Sequence, residues 1–291
     1  MSTILVTGAT GHLGRAVAQH LLSQPQDNTV LALVRELSKG ADLEAAGATL
    51  RQGDYNDYAS LVPAFQGVDK LYFVSSSDVP NRSAQHENVV KAATEAGVGH
   101  VFYTSAQRKT EDGSSPIAFV AEAHLQTERL LRASGLRYTL LKHALYTDVL
   151  PMFLGQNVLQ SGTIFLPAGD GRTSFASRQD MSVAGAKLLL STEPVAESYD
   201  IAGPQSYSLA EVAAILSELA GKPIQYVSPS GEEFEKQLAA YGVPAEGIQG
   251  ALTFCKAIAQ GEFDFPTQTL AELLGHEPES VKSYLKQTYS L

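Results

Sequence analysis

The stretch TGATGHLG occupies residues 7–14, directly after the apolar run TILVT and at the start of a helical pattern. Its glycines Gly8, Gly11 and Gly14 have the GxxGxxG spacing, which suits a tight turn, close backbone approach to a pyrophosphate, and close helix–sheet packing. The alternative is a plain strand-to-helix turn, but the context on both sides favours a dinucleotide site at a helix N-terminus. The predicted ligand contacts in this loop are Gly8, Thr10, Gly11, His12, Leu13 and Gly14.

The first half of the chain alternates short apolar runs with helical patterns. Its βαβ alternation predicts an α/β fold with a Rossmann-like, doubly wound parallel sheet and right-handed crossovers. Buried strands are predicted at 3–7, 30–34, 70–74, 101–104 and 138–141, with a weaker candidate at 49–52. Helices are predicted at 13–23, 37–46, 60–65, 84–96 and 117–133.

The pattern changes after about residue 145, where proline and glycine become more frequent and the predicted strands become short. We therefore expect residues 1–145 to form a dinucleotide-binding domain and residues 146–291 a smaller α/β substrate domain. A strand near 198–202 is predicted to return to the main sheet. Helices in this half are predicted at 209–221, 232–241, 248–259, 270–274 and 280–288.

Composition argues against several classes of partner. The 21 basic and 31 acidic side chains give a net charge of −10, and no basic face for nucleic acid is visible. No uncharged apolar run approaches the ~18 residues of a membrane span, and the N-terminus lacks a basic signal region. The lone cysteine, Cys255, excludes an internal disulfide, and the seven histidines show no HxxxH pairing, so no metal site is predicted. We expect a cytoplasmic protein that is able to form a homodimer.

The end of the second predicted strand bears on which dinucleotide is bound. Arg35 lies there, and a guanidinium binds a ribose 2′-phosphate in a forked geometry. Lys39 follows one helical turn later. Glu36 is the alternative, because a slip of one residue would present its carboxylate to the ribose hydroxyls of NAD. The pattern favours NADP(H).

Polar residues also follow the third and fourth predicted strands. Asp54 is placed to accept a hydrogen bond from an adenine amino group, or else it belongs to a helix N-terminus with Asn56 and Asp57. Three serines end the fourth strand, where ligands bind in such sheets, and their small side chains leave room for ribose and nicotinamide. The predicted contacts are Ser75, Ser76 and Ser77.

Together these motifs resemble the NmrA-like branch of the atypical short-chain dehydrogenases/reductases, and within it the bacterial NAD(P)H:quinone oxidoreductases and triphenylmethane reductases. The matching pieces are VTGATGHLG, LVR, GDYND, SSS, QHENVVKAATEAGVGHVFYTS, HLQTE and LKHALYTD. The resemblance implies NADPH in the glycine-rich loop and a C-terminal domain that closes the acceptor cleft. One departure is Lys142–His143, where the family has Arg-Asn. Lys142 keeps the charge, and His143 brings a titratable group near the expected nicotinamide.

Ordinary short-chain reductases protonate a basic alkoxide with a tyrosine–lysine pair, yet no tyrosine lies between Ser105 and Arg137. In that region Phe119 and His124 stand at the expected place. A quinone needs no such acid, because hydride addition gives a delocalised phenolate with a pKa near the ~10 of tyrosine. A cationic dye needs even less, because hydride neutralises it. We therefore expect hydride transfer from NADPH to a quinone-like electrophilic acceptor.

The remaining predictions concern the acceptor end. His143 and Tyr146 are the expected catalytic residues, and Tyr146 with Thr147 should line the acceptor pocket. His124 either holds the ribose–nicotinamide region or is a buried histidine satisfied by Glu128. The alternative function is a non-catalytic NADP-binding redox sensor, which the missing tyrosine also fits. The predicted cofactor contacts outside the loops above are Ser105, His124 and Lys142.

Overall fold

The structure, a computed structural model, describes residues 2–24, 27–155 and 157–291. Strands and helices alternate through its first half, and helices prevail in its second half. The strands are β1 (Thr3–Val6), β2 (Thr29–Val34), β3 (Thr49–Gln52), β4 (Lys70–Phe73), β5 (His100–Ala106), β6 (Arg137–His143), β7 (Thr163–Phe165), β8 (Arg172–Thr173), β9 (Ser198–Ile201), β10 (Tyr207–Ser208) and β11 (Gln225–Val227).

The helices follow the strands in the order expected for right-handed crossovers. Short 3₁₀ turns lie at Leu37–Gly40 and Thr147–Val149. The α-helices are α1 (His12–Ser23), α2 (Ala41–Ala45), α3 (Tyr58–Phe65), α4 (Arg82–Glu95), α5 (Ala118–Ala133), α6 (Leu150–Leu154), α7 (Val158–Ser161), α8 (Arg178–Leu190), α9 (Leu209–Ala220), α10 (Gly231–Ala240), α11 (Ala245–Ala259), α12 (Thr269–Leu274) and α13 (Val281–Thr288).

Within the described residues, seven parallel strands form the main sheet in the order β3-β2-β1-β4-β5-β6-β9. The strand order reverses between β1 and β4, and ligands of doubly wound sheets bind outside the carboxyl ends of the strands at this switch point. The predicted α/β, Rossmann-like fold class is confirmed. The glycine-rich loop after β1 lies at the switch point.

Helices cover both faces of the sheet. On one face Val17 of α1, Met181 of α8 and Leu270 of α12 share a core with the strands. On the other face Phe65 of α3 and Leu131 of α5 belong to a second core, together with α4. Both faces are therefore buried, which explains the nearly continuous apolar runs in the strands.

The second half of the chain contributes to the main sheet as well as to a core of its own. Strand β9 pairs with β6, with Leu140 opposite Ser198 and His143 opposite Ile201, and α8 packs against α1. A separate apolar cluster joins α6, α9, α10, α11 and α13. Helices α8 and α12 and strand β9, all from the second half, belong to the layers formed by the first half. The division of the chain into two domains at residue 145 therefore stays a prediction.

Several elements differ from the sequence-based expectation. The segment 37–46 is a 3₁₀ turn followed by the short helix α2, and a Cβ on Gly40 at their junction would lie 2.8 Å from a methyl of Leu50. Strands β5 and β6 are each longer than predicted. Helix α8 has no predicted counterpart, because it is buried on several sides and lacks an amphipathic period. Its one local signal is the N-cap Ser177, whose hydroxyl accepts from the Asp180 N–H.

Among the described residues, no helix has both the length and the apolar composition needed to cross a bilayer.

Candidate active site

A cleft of about 630 Å³ runs along the carboxyl ends of β1, β2, β4, β5 and β6. Every predicted site residue lines it except Lys39 and Lys142, and Thr147 is also absent from its walls. The fold therefore gathers fifteen of the seventeen predicted residues at one edge of the sheet. Their roles toward a ligand stay predictions.

The glycine-rich loop has the shape that a pyrophosphate needs. Gly8 has a φ of +57°, which favours glycine, and it turns the chain away from β1. A Cβ on Gly14 would lie 2.4 Å from the Gly8 carbonyl oxygen, so only a glycine lets α1 start this close to the strand. No side chain caps the N-terminus of α1. Its first N–H groups and the positive end of the helix dipole therefore face the cleft.

Arg35 lines the cleft at the end of β2, whereas Glu36 and Lys39 do not. The Lys39 ammonium lies 2.7 Å from Glu36 Oε1, and both side chains are 60 % exposed. The hydrogen bond and charge of Lys39 lower the pKa of the Glu36 carboxyl. The two residues thus satisfy each other in solvent, and neither is brought to the cleft. Of the three, only Arg35 lines the cleft, and its contact with a 2′-phosphate stays a prediction.

Asp54 and Asp57 have separate roles after β3. Asp57 is the N-cap of α3, and its carboxylate accepts from the Ala59 N–H at 3.1 Å. Asp54 lines the cleft, and its Oδ1 accepts from the Asn56 N–H at 2.9 Å. The helix-start role therefore belongs to Asp57, and the contact of Asp54 with an adenine stays a prediction.

The serines after β4 and a buried histidine begin a hydrogen-bond chain. The Ser76 N–H donates to His86 Nε2 at 3.0 Å, and because a backbone N–H can only donate, the neutral His86 ring carries its proton on Nδ1. That nitrogen lies 2.8 Å from Thr127 Oγ1, whose hydroxyl donates to the Ala123 carbonyl. Burial lowers the pKa of His86 to about 2, which keeps the ring neutral. His86 is therefore a fixed structural link.

The chain continues to the cleft through Tyr103. Its hydroxyl is 2.8 Å from His124 Nδ1 and 3.4 Å from the protonated Nδ1 of His86. The tyrosine proton is therefore directed to His124, which leaves the His124 proton on Nε2. Burial lowers the pKa of His124 to about 3. His124 is thus a neutral Nε2–H donor in the cleft wall, and its partner is Tyr103 rather than Glu128.

Glu128 binds other groups. Ser105 Oγ donates to it at 2.6 Å, and Arg108 forms two bonds of 2.9 Å with its two oxygens. Burial would raise the pKa of Glu128, but the hydrogen bonds from Arg108 and Ser105 lower it below its ordinary value. The Ser105 hydroxyl is therefore engaged by the carboxylate, although the residue lines the cleft.

The residues of α5 that line the cleft differ in part from those assigned from the sequence. Phe119 is 53 % exposed and lies outside the cleft. Val120 and His124, four residues apart on the same face of α5, both line it. This face of α5 therefore brings an apolar side chain and a neutral histidine to the cleft wall.

Lys142 and His143 are neighbours on β6, but their side chains lie on different sides of the sheet. Because side chains alternate along β6, the two residues project to opposite faces of the sheet. His143 lines the cleft, whereas the charge of Lys142 acts on Glu128 on the other face and the side chain does not reach the cleft. Among the described residues neither ring nitrogen of His143 has a hydrogen-bond partner, and burial lowers its pKa to about 3.

The acceptor end contains residues that sequence reasoning missed. The guanidinium carbon of Arg178 lies 4.2 Å from the centre of the Tyr146 ring, so one face of that ring is covered. Phe254 and Phe263 form an apolar wall with their rings nearly parallel and 6.2 Å apart. Thr147 is buried, and its N–H bonds to the Ala176 carbonyl. No local pattern marks Arg178 or the phenylalanines, which reach the cleft through tertiary packing.

No group of three or more histidine, cysteine, aspartate or glutamate side chains in the described ranges is arranged to hold a metal ion.

Comparison with known proteins agrees with this arrangement of fold and cleft. The model of the NmrA-like family matches residues 1–285. The chain belongs to the NmrA-like family. This NmrA-like chain is 34% identical to quinone oxidoreductase 2 of Escherichia coli over 290 residues, which are 99% of each chain.

Two solved structures of this kind are also similar. The NADPH complex of the Escherichia coli NADPH-dependent quinone oxidoreductase aligns with a TM-score of 0.90 at 33% identity, covering 98% of this chain and 99% of that one. Triphenylmethane reductase from Citrobacter sp. aligns with a TM-score of 0.90 at 35% identity and covers 100% of both chains. The family resemblance predicted from the sequence is confirmed.

Proposed function

We propose that this NmrA-like protein is an NADPH-dependent oxidoreductase that transfers hydride to a quinone-like electrophilic acceptor without a tyrosine–lysine acid pair. The observation that carries the proposal is the cleft wall formed by Val120 and His124. Val120 has no proton to give, and His124 stays neutral at physiological pH because its pKa is about 3. The wall suits an acceptor that requires no concerted protonation.

The cleft fits NADPH at the opposite end. The glycine-rich loop and the uncapped α1 suit the pyrophosphate, Arg35 suits the 2′-phosphate, and Asp54 suits the adenine amino group. Ser75 lines the cleft, where its hydroxyl suits a ribose or nicotinamide group. The similar Escherichia coli enzyme was crystallised with NADPH. NADPH, when bound in this cleft, would supply the hydride.

The chain's own residues act mainly by positioning. His124 offers its Nε2–H to a ligand, and the apolar side chains of Val120, Phe254 and Phe263 exclude water around a flat acceptor. Holding the acceptor against the hydride donor removes much of the entropic barrier. The hydroquinone anion that forms takes its proton from solvent afterwards. His143 lines the cleft and neither of its ring nitrogens has a partner among the described residues, so the nitrogen that carries the proton would donate to a quinone oxygen.

A panel of acceptors tests the proposal. NADPH oxidation should be fast with para-quinones and slow with unactivated ketones, because the basic alkoxide that forms from a ketone needs the missing acid. Efficient ketone reduction would contradict the role given to Val120 and His124. Tight, saturable NADPH binding without turnover of any acceptor would favour the redox-sensor alternative. A cytoplasmic location and a homodimer stay predictions.

A further inference from the structure

Arg178 is held rigidly at the acceptor end of the cleft. It is the first residue of α8, and its N–H donates to Asp148 Oδ2 at 3.0 Å. Its guanidinium lies 3.3 Å from Asp148 Oδ1 and covers one face of the Tyr146 ring at 4.2 Å. The side chain is 27 % exposed. Arg178 lines the cleft and Asp148 does not, so of this ion pair only the cation belongs to the cleft wall.

A second arginine adds to the positive potential there. Arg82 is buried, lines the cleft, and donates from Nε to the Ser76 carbonyl at 2.6 Å. Asp78 also lines the cleft; its carboxylate oxygens accept from the amides of Asn81 and Gln85, and its charge acts on Arg82. The charges of Arg178, Asp148 and Arg82 all act on the Tyr146 hydroxyl, so two cations and one carboxylate lie near the acceptor end.

We infer that Arg178 selects the acceptor by charge: it favours quinones, which gain negative charge on hydride transfer, over cationic triarylmethyl dyes. The inference rests on the proposed function and names the acceptor class of that site. With a neutral quinone, hydride moves two electrons and a proton from NADPH, leaving NADP⁺ and a hydroquinone monoanion. Solvent then protonates the anion. With a cationic dye, the same hydride neutralises the carbocation and no proton follows.

The two acceptors respond to a fixed cation with opposite sign. The attraction between Arg178 and a quinone oxygen grows as the oxygen becomes anionic, so it lowers the barrier and raises kcat. A cationic dye is repelled when it binds, which raises KM. A pre-positioned charge is effective in this role because it needs no reorganisation during the reaction.

The test measures NADPH oxidation by neutral 1,4-naphthoquinone and by the cationic dye crystal violet. Arg178→Gln should lower kcat/KM for the quinone about tenfold, which corresponds to about 1.4 kcal/mol, mostly through kcat. The same substitution should raise kcat/KM for the dye severalfold, mostly through KM. Arg178→Lys keeps the charge and should preserve the parent's order of preference.

The matched control is Arg129→Gln, which removes an exposed arginine on α5 that pairs with Glu122. It should leave both acceptors unchanged. Equal losses for quinone and dye in Arg178→Gln would mean that the residue only supports the structure, and would overturn the inference while leaving the proposed function intact. Absence of turnover with every acceptor in the parent protein would refute the proposed function and the inference together.

Discussion

The two ends of the cleft are built in different ways. The cofactor end comes from short contiguous motifs, chiefly residues 7–14 and 75–77, each directly after a strand of the sheet. The acceptor end is assembled from α5, the end of β6, the start of α8, α11 and Phe263. Parallel strands bring their carboxyl ends together automatically, so local sequence is enough to locate the first end. The second end depends on how distant helices pack.

The largest expected effect tests the cofactor end. Gly14→Ala places a Cβ 2.4 Å from the Gly8 carbonyl oxygen, and backbone cannot yield as a side chain does. We expect the free energy of unfolding to fall by about 3 kcal/mol and NADPH binding to weaken. Denaturant unfolding and NADPH titration measure the two effects.

Gly250 in α11 provides the control, because a Cβ there would meet nothing within 4 Å. Gly250→Ala should be neutral or stabilise the helix by up to about 1 kcal/mol. If Gly14→Ala and Gly250→Ala had the same effect, the close approach of α1 to β1 would not be the reason for a glycine at position 14.

A second prediction separates Arg35 from Glu36. Arg35→Ala should weaken NADPH binding by about 1.5–2 kcal/mol, the loss expected for a charged hydrogen bond at an exposed site, and should hardly change NADH binding. Glu36→Gln should change neither much, because its carboxylate is paired with Lys39 outside the cleft. Dissociation constants for both cofactors provide the measurement. Equal NADPH and NADH constants in the parent would contradict the role of Arg35.

The third prediction concerns pH and the acceptor end. His143 has a folded-state pKa of about 3, below its ordinary value near 6.5, because burial disfavours the cation. The unfolded state therefore binds more protons between these values, and stability falls as pH decreases from about 6.5. The slope is at most about 1.4 kcal/mol per pH unit for each such histidine.

Replacing His143 with glutamine should reduce the loss of stability as the pH decreases. Denaturant unfolding of the parent and of His143→Gln between pH 6.5 and pH 4.5 compares the two slopes. His124 and His86 are also buried in the neutral form, and they account for the pH dependence of stability that remains in the variant. Parallel curves would show that His143 is hydrated in the folded protein, and would weaken its place in the cleft wall.

The smallest effect tests the aromatic wall. Phe254→Leu removes one of two nearly parallel rings, and should raise KM for a flat quinone by the equivalent of about 0.5–1.5 kcal/mol. The Kd for NADPH should not change, because the wall belongs to the acceptor end. An unchanged KM would place the acceptor elsewhere in the cleft.

The same contrast explains what could be predicted from sequence. Glycine spacing, Arg35 and the three serines lie beside strands with clear apolar patterns, so periodicity was enough to place them. Lys142 was expected in the cleft because β6 was predicted to end before it. In fact the strand continues through His143, and alternation turns Lys142 to the other face. The assignment of Phe119 to the cleft was wrong for a similar reason. A shift of one residue along α5 decides whether Phe119 or Val120 faces the cleft.

Arg178 and the phenylalanine wall could not be found from local pattern. Helix α8 is buried on several sides, so its sequence lacks the amphipathic period that identifies surface helices. Phe254 belongs to a predicted helix. Which helix covers the cleft is decided by tertiary packing, because Phe254 is more than 100 residues away in sequence from the strands that it approaches.

The central claim is that hydride transfer in this cleft needs no titrating protein acid. The most direct measurement is the single-turnover rate constant for reduction of a para-quinone by NADPH and by NADPH deuterated at the transferred position, between pH 6 and pH 8. We predict a primary isotope effect, which shows that hydride transfer is being observed, together with a rate constant that hardly changes with pH. A rate constant that falls about tenfold for each unit rise in pH, with the isotope effect retained, would reveal an essential acid and contradict the account.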